Sequence, residues 1–309
     1  MTTSSDLIQS NRTCTPWFPT RADWQQKGRL RLSSDVLELV VHALRRAVVT
    51  MVARQGQGYV QQGLGAADIF ASLYFHEMFI DPQSPASPIR DRFLLSTAHN
   101  SALFHATLAL RGMIDSNLLD DYVKDGSALE INVSERLGPV VEGTFGSLGQ
   151  GPSVACGLAV SDRIKGRENR TYLVLGDGEL QEGQVWEAAM YAAHYKMDNV
   201  IATIDYNGQQ IDGPTEKIMD LKNLKAKWEA FGWEVIETKE GNDLAAVIAG
   251  LEKAKSLTGK GKPILNLLYT EMGYGVDFMV GTHKWHGSPP NDEQLALALG
   301  QLEETLGDY

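Results

Sequence analysis

The chain has 309 residues, of which 43% are hydrophobic and 22% are charged, a composition typical of one large globular domain or two small ones. Its formal net charge of −11 argues against a nucleic-acid-binding surface. The sequence has no apolar run near the roughly 20 residues that span a bilayer, and its N-terminus lacks the pattern of a signal peptide. The two cysteines, Cys14 and Cys156, form no disulfide framework, which fits a reducing cytoplasm.

Predicted strands and helices alternate along the chain, which predicts an α/β fold with a mainly parallel sheet flanked by helices. Residues 1–33 are polar with scattered aromatic side chains, and we interpret them as an irregular arm before a single domain at 34–309. The elements predicted in the first half are a helix capped by Ser34-Asp35, a Gly/Gln loop at 55–63, a helix over 64–74, a strand at 92–95, a helix after His99, a short helix over 116–124, a loop over 125–144 and a helix opened by the segment 146–151.

The second half begins with two apolar runs, Thr171–Leu175 and Val200–Ile204, separated by an Ala-rich stretch over 181–196. This order predicts a strand, a crossover helix and a second strand, so we expect the two strands to be parallel. The elements predicted after them are a helix over 221–231, a strand at 233–236, a helix over 243–257, a strand at 263–269, a Gly-rich loop over 271–290 and a helix capped by Asn291.

Polar residues follow both apolar runs: Gly176-Asp177-Gly178 after the first, and Asn207 within Asp-Tyr-Asn-Gly after the second. Ligands of open parallel sheets bind beyond the carboxyl ends of the strands, so Asp177 and Asn207 are expected side by side. The two glycines allow close approach of a phosphate, and a helix N-terminus after Gly178 would attract the same anion. Carboxylate and amide oxygens suit Mg²⁺ or Ca²⁺ better than zinc or copper. The pattern predicts a diphosphate bridged to a divalent cation, although either motif alone also fits a turn without a ligand.

The Gly-Asp-Gly tripeptide followed by D-x-N-G resembles the thiamin diphosphate motif, and the fuller strings GDGELQEGQVWEAA and DYNGQQIDG resemble the transketolase family. The resemblance continues in order from Ser34 to the end of the chain. The other similar segments are LGAADIFASLY, RDRFLLSTAHNSALFHATLALRG, GSLGQGPSVACGLA and GTHKWHG.

In that family, one domain binds the diphosphate and the metal, and a second binds the aminopyrimidine and supplies an activating glutamate. This chain ends at Tyr309, after the first domain. The resemblance therefore implies the N-terminal, diphosphate-binding subunit of a split transketolase, with a heterotetramer as the expected assembly and a C-terminal transketolase subunit as the partner. The implied reaction transfers a two-carbon ketol unit from a ketose to an aldehyde acceptor, with thiamin diphosphate as the electron sink and Mg²⁺ or Ca²⁺ as the metal.

The resemblance also implies roles for individual residues. The metal ligands would be Asp177, Asn207 and the backbone carbonyl of Gln209. The residues implied in cofactor binding are His99, Gly146, Ser147, Leu148, Gly149, Gly176, Asp177, Gly178, Glu179, Asn207 and His286. Catalytic roles are implied for His99, His286 and Glu182. Glu182 and Glu187 would lie at the subunit interface, although a surface salt-bridge pair is the other interpretation of these two glutamates.

Two loops depart from the family pattern, and both concern the substrate. The first usually carries Ser-Gly-His-Pro-Gly, and here Tyr59 takes the place of the histidine; the second usually carries Gly-His-Pro, and here Asn132 lies in that region. Tyr59, Asn132 and His286 are the implied substrate contacts, but the first two offer hydrogen bonds without a titrating imidazole. Two alternatives therefore stay open: a related carboligase that uses a 2-oxo acid or a modified sugar, and an accessory subunit that binds the cofactor without catalysis.

Overall fold

The computed structural model describes residues 30–303 of the chain. Nearly all of the predicted N-terminal arm, including Cys14, lies outside these residues. The strands are β1 Arg92–Leu95, β2 Thr171–Gly176, β3 Val200–Tyr206, β4 Gln209–Gln210, β5 Gly213–Pro214, β6 Glu234–Thr238 and β7 Ile264–Tyr269. The helices are α1 Ser34–Gln55, α2 Val60–Ser72, α3 Ser101–Leu110, α4 Gly151–Ile164, α5 Gly183–His194, α6 Thr215–Met219, α7 Leu224–Ala230, α8 Leu244–Leu257 and α9 Asp292–Gln301.

Five strands form one parallel sheet in the order β1-β2-β3-β7-β6, and β4 and β5 form a separate antiparallel ribbon. The central strands are nearly continuous buried apolar runs, as expected for a parallel sheet covered on both faces. This arrangement confirms the predicted α/β fold. In the register of β2 and β3, Gly176 is opposite Asp205, so the two polar motifs after these strands lie next to each other.

Several helix ends follow local signals in the sequence. Asn291 and Gln294 form a capping box at the start of α9, and the Asp243 side chain accepts a hydrogen bond from Ala246 N at the start of α8. The α1 helix ends at Gly56, which has a φ of 61° and so adopts the left-handed conformation that favours glycine. Within residues 30–303, no helix combines the length and apolar character needed to cross a membrane.

Three predicted boundaries were wrong. The α2 helix starts at Val60, inside the predicted Gly/Gln loop, and Gly63 lies where a Cβ would be 2.8 Å from Val48 Cγ1, so packing against α1 favours glycine within this helix. The segment after Leu175 forms a 3₁₀ turn over Gly178–Gln181 before α5 begins, instead of leading directly into an α-helix. The predicted helix over 116–124 is a 3₁₀ helix that ends at Asp121.

Candidate active site

A cavity of about 260 Å³ lies at the carboxyl ends of β1, β2 and β3. This is the end of a parallel sheet at which ligands are expected. The residues predicted from the sequence that line it are His99, Leu148, Gly176, Asp177, Gly178, Glu179, Glu182, Asn207, Gln209 and His286.

Asp177 joins the loops that follow β2 and β3. Its carboxylate accepts hydrogen bonds from Gly208 N at 2.7 Å, Gly178 N at 2.8 Å and Thr215 Oγ1 at 3.3 Å. Asn207 Oδ1 accepts a hydrogen bond from Gln209 N at 3.1 Å, which closes a tight turn after β3. The predicted proximity of Asp177 and Asn207 is therefore present, with their side-chain oxygens held by backbone amides.

Three buried acidic residues line the β2–β3 side of the cavity: Asp177, Glu179 and Asp205. We call them the acidic wall. Burial raises the pKa of Asp177 to about 7, and the neighbouring Asp205 carboxylate contributes to the increase. Burial also raises the pKa of Asp205 to about 6, against hydrogen bonds from Thr270 and Asn207 that lower it. No lysine or arginine is among the described residues that line the cavity. A divalent cation with oxygen ligands fits this donor set because it would neutralise buried carboxylates that lack a cationic partner.

Glu179 holds the Gly-rich segment before α4 in place. Its Oε1 accepts hydrogen bonds from Gly149 N at 2.7 Å and from Ser96 Oγ, and its Oε2 accepts one from Gly176 N at 3.2 Å. Burial raises the pKa of Glu179 to about 7, in spite of these hydrogen bonds. At Gly149 the φ is +83°, and a Cβ would lie 2.7 Å from Glu182 Cβ, so this position favours glycine. Glu179 thus connects the ends of β1 and β2 to the segment that precedes α4.

Three rings lie together on the β1 side of the cavity. The Tyr59 ring is 5.0 Å from that of His99 and 5.9 Å from that of His286, and the two imidazoles are 5.8 Å apart between ring centroids. Burial lowers the pKa of each histidine to about 4, with smaller contributions from His286 at His99 and from His283 at His286. Both imidazoles are therefore neutral near pH 7, and each can donate or accept a hydrogen bond.

Six predicted residues lie outside the cavity lining: Tyr59, Asn132, Gly146, Ser147, Gly149 and Glu187. Asn132 Nδ2 would lie 4.0 Å from a Cβ on Gly146, so the second loop packs on the Gly-rich segment. Glu182 and Glu187 are exposed, and both interpretations of these two glutamates stay predictions.

Sequence patterns assigned no role to Gln62, Asn100 and Asp205, although all three line the cavity. Asp205 belongs to the D-x-N-G motif and is opposite Gly176 in the sheet, so the parallel register could have indicated it. No local signal identifies Gln62 or Asn100, because their positions depend on contacts with residues distant in the sequence.

Comparisons with known proteins identify similar chains. Residues 36–304 match the family described as transketolase, thiamine diphosphate binding domain. The "6-deoxy-6-sulfo-D-fructose transketolase subunit SqwG" of Clostridium sp. (strain MSTE9) is 37% identical over 268 residues, which cover 87% of this chain and 96% of that protein. An apulose-4-phosphate transketolase subunit of Actinobacillus succinogenes is 37% identical over 88% of this chain and 98% of its own length.

Solved structures of transketolases have the same fold. The Campylobacter jejuni enzyme aligns with a TM-score of 0.82 and 31% identity over 88% of this chain and 43% of its own. The Leishmania mexicana enzyme aligns with a TM-score of 0.80 and 30% identity over 86% of this chain and 41% of its own. The chain thus spans less than half the length of these transketolases, but nearly the whole length of the two related subunits.

Proposed function

The chain belongs to the transketolase family, and we propose that it is the diphosphate- and metal-binding subunit of a two-subunit transketolase. This enzyme would transfer a two-carbon ketol unit from a ketose to an aldehyde acceptor. The observation that carries the proposal is the acidic wall, where Asp177 and Asp205 are buried at adjacent strand ends beside a cavity whose described lining has no lysine or arginine. Thiamin diphosphate bound there would supply the electron sink for carbon–carbon bond cleavage.

We assign the metal ligands to Asp177, Asn207 and the backbone carbonyl of Gln209. These are hard oxygen donors, and Mg²⁺ or Ca²⁺ prefers such ligands. Each of these oxygens has further lone pairs that could bind a cation while the backbone amides of Gly208 and Gln209 hold Asp177 and Asn207 in place. This arrangement supports a diphosphate bound through the metal near Gly178.

His286 would act on the donor substrate, and His99 would donate a hydrogen bond near the diphosphate. Both are neutral near pH 7 because burial lowers the pKa of each ring to about 4. A neutral imidazole can donate a hydrogen bond to a carbonyl or alkoxide oxygen and accept one from a hydroxyl. We propose that His286 polarises a carbonyl or hydroxyl of the donor, and that His99 helps to hold the cofactor.

The partner subunit would cover an exposed surface on α4 and α5. These helices contact each other and leave large apolar side chains in solvent, with Ile164 80% exposed and Met190 54% exposed. Glu182 is the N-cap residue of α5, and Glu187 lies one turn before Met190 on the same helix. We propose that a pyrimidine-binding subunit packs here in a heterotetramer, and that Glu182 contacts its activating glutamate.

The donor is proposed to be a modified ketose. The two related subunits are named for 6-deoxy-6-sulfo-D-fructose and for apulose 4-phosphate. Tyr59 stands where the family usually has a histidine, and this is a reason to expect a donor other than the ordinary sugar phosphates. The cytoplasmic location stays a prediction from the cysteine content.

Calorimetric titration of the assembled complex with thiamin diphosphate, with and without Mg²⁺, tests the proposal. We expect Mg²⁺-dependent binding that Asp177→Ala weakens by at least about a hundredfold, because the cation loses a carboxylate ligand. Asp243→Ala, which removes the cap of α8 outside the cavity lining, serves as the control and should keep the wild-type affinity. Wild-type affinity in Asp177→Ala would place the cofactor elsewhere.

A further inference from the structure

Two buried carboxamides, those of Gln62 and Asn100, line the cavity on the side of β1 and α2. Gln62 is 4% exposed and Asn100 is 3% exposed. Gln62 Oε1 and Asn100 Oδ1 are both buried and have no hydrogen-bond partner within residues 30–303. Buried polar atoms in proteins are normally hydrogen-bonded, and Gln62 and Asn100 both line the cavity, so their two unpaired oxygens leave hydrogen-bonding capacity that a ligand can satisfy.

Asn100 lies next to the first turn of α2, the turn that contains Gln62. Gln62 belongs to this turn, and a Cβ on the next residue, Gly63, would lie 3.5 Å from Asn100 Oδ1. The Gln62 Nε2 atom donates a hydrogen bond to the backbone carbonyl of His286 at 3.0 Å. The pair is thus held by a helix on one side and by the His286 loop on the other. We call Gln62 and Asn100 the amide pair.

The chemistry of the amide pair differs from that of the acidic wall. The amides carry no charge, and the neighbouring rings of His99 and His286 are neutral near pH 7. A metal-bound diphosphate fits the acidic wall, and a neutral polar group fits the amide pair. A ligand hydroxyl group is suited to the amide pair because it both donates and accepts hydrogen bonds. It can therefore bond to an amide whether the oxygen or the nitrogen of that amide faces it.

We propose that Asn100, with Gln62 beside it, is a specificity-determining residue that hydrogen-bonds a hydroxyl of the donor ketose beyond its two-carbon ketol unit. The inference rests on the proposed function. Asn100 follows β1, whereas the acidic wall follows β2 and β3, so the amide pair lies to one side of the acidic wall. The polyhydroxylated chain of a ketose has the hydroxyl groups that this part of the cavity can recognise.

Comparing two kinds of donor substrate distinguishes a role of Asn100 in substrate recognition from a role in maintaining the structure. Hydroxypyruvate carries the ketol unit on a carboxylate and has no polyhydroxylated chain, whereas 6-deoxy-6-sulfofructose, apulose 4-phosphate and fructose 6-phosphate carry further hydroxyl groups. In the assembled complex, we expect Asn100→Ala to lower kcat/KM at least about fivefold for any of these ketoses that the wild type uses, mainly through KM. With hydroxypyruvate, kcat/KM should change less than about twofold, and so should the thiamin diphosphate Kd measured by calorimetry.

A second variant and a control make the outcome decisive. Asn100→Ser replaces the amide with a hydroxyl group that can still hydrogen-bond, so it should retain more ketose activity than Asn100→Ala. Asn199→Ala removes another amide with an unpaired buried oxygen, at the opposite end of β3, and should match the wild type with all donors. Equal losses with hydroxypyruvate and ketoses, or no loss with either, would overturn the proposal. A wild-type complex that uses hydroxypyruvate but none of these ketoses would overturn the subsite alone, and one that transfers a ketol unit from no donor would refute the proposed function.

Discussion

Tyr59 precedes α2 and lies beside both imidazoles of the cavity, with its ring 5.0 Å from that of His99 and 5.9 Å from that of His286. This position places a phenol where the family usually has a third imidazole. A phenol donates or accepts a hydrogen bond through a single oxygen, whereas an imidazole has two ring nitrogens, so the two side chains offer a substrate different hydrogen bonds. The identity of this one residue therefore bears on which donor the enzyme uses.

Tyr59→His should improve the use of fructose 6-phosphate only modestly. We expect a gain in kcat/KM below about a hundredfold, because Asn132 also departs from the family pattern in the second loop. Steady-state kinetics of the reconstituted complex measure this gain, and Tyr59→Phe reports the contribution of the hydroxyl alone. A larger gain would show that Tyr59 determines donor choice without the second loop.

A second prediction at the residue scale concerns His105 and the pH dependence of folding stability. This histidine is fully buried in α3 near Tyr122, and neither ring nitrogen has a hydrogen-bond partner in the described part of the chain. Burial lowers its pKa to about 3, from an ordinary value of 6.5. The folded state therefore binds fewer protons than the unfolded state between these values, and stability decreases as the pH falls below about 6.5.

Replacing His105 with leucine should reduce this acid sensitivity. Between pH 8 and pH 5, protonation of His105 in the unfolded state should lower the free energy of unfolding of the wild type by on the order of 2 kcal/mol. The His105→Leu variant has no imidazole at this position, so this contribution should be absent. Urea unfolding midpoints of both proteins at pH 8 and pH 5 measure the difference. His194→Leu, a change at a histidine near the end of α5, is the control. Equal pH dependence in the wild type and His105→Leu would contradict a role for this buried imidazole.

The first turn of α2 connects the cavity to the loop after β7. Gln61 Nε2 donates hydrogen bonds to the backbone carbonyls of Met279 and Thr282, and Gln62 Nε2 donates one to that of His286. The α2 helix also packs closely against the start of this loop, since a Cβ on Gly65 would lie 2.8 Å from the carbonyl oxygen of Glu271. The position of His286 thus depends on an element far earlier in the chain.

Gln62→Met keeps the length of the side chain but removes the hydrogen bond to the His286 carbonyl. We expect kcat to fall about tenfold with every donor, including hydroxypyruvate, because the imidazole loses its position, while the thiamin diphosphate Kd stays within about twofold. Gln55→Met is a matched control, since Gln55 Nε2 also bonds to a backbone carbonyl, that of Asp120, outside the cavity lining. Equal kcat values for the two variants would contradict a positioning role for Gln62.

These contacts explain which elements could be predicted from the sequence. The buried strands at Thr171–Gly176 and Val200–Tyr206 were predicted because continuous apolar runs between turn residues are a local signal. The start of α2 was missed because the Gly and Gln residues there resemble a loop, and only the distant loop and α1 favour a helix. Asp177 and Asn207 follow from motif spacing, whereas the amide pair depends on packing between elements far apart in sequence.

At the scale of the whole molecule, the chain combines a cavity at the strand ends with large apolar side chains that are exposed on α4 and α5. Val154 and Ile164 on α4, with Met190 and Tyr191 on α5, are exposed large apolar residues. An exposed apolar surface of this kind is typical of a protein–protein interface. Relatives named as transketolase subunits match this chain over nearly their whole length, and this supports the proposal that a separate polypeptide covers the surface.

The measurement that tests the central claim most directly is turnover by the purified chain, first alone and then after addition of the pyrimidine-binding subunit. Both assays would contain saturating thiamin diphosphate and Mg²⁺, with hydroxypyruvate and several ketoses as donors. We predict no ketol transfer by the chain alone and full activity with the second subunit, because the activating glutamate is expected on that partner. Robust turnover by a homogeneous preparation of this chain, with no second polypeptide detected by mass spectrometry, would contradict the proposal of a two-subunit enzyme.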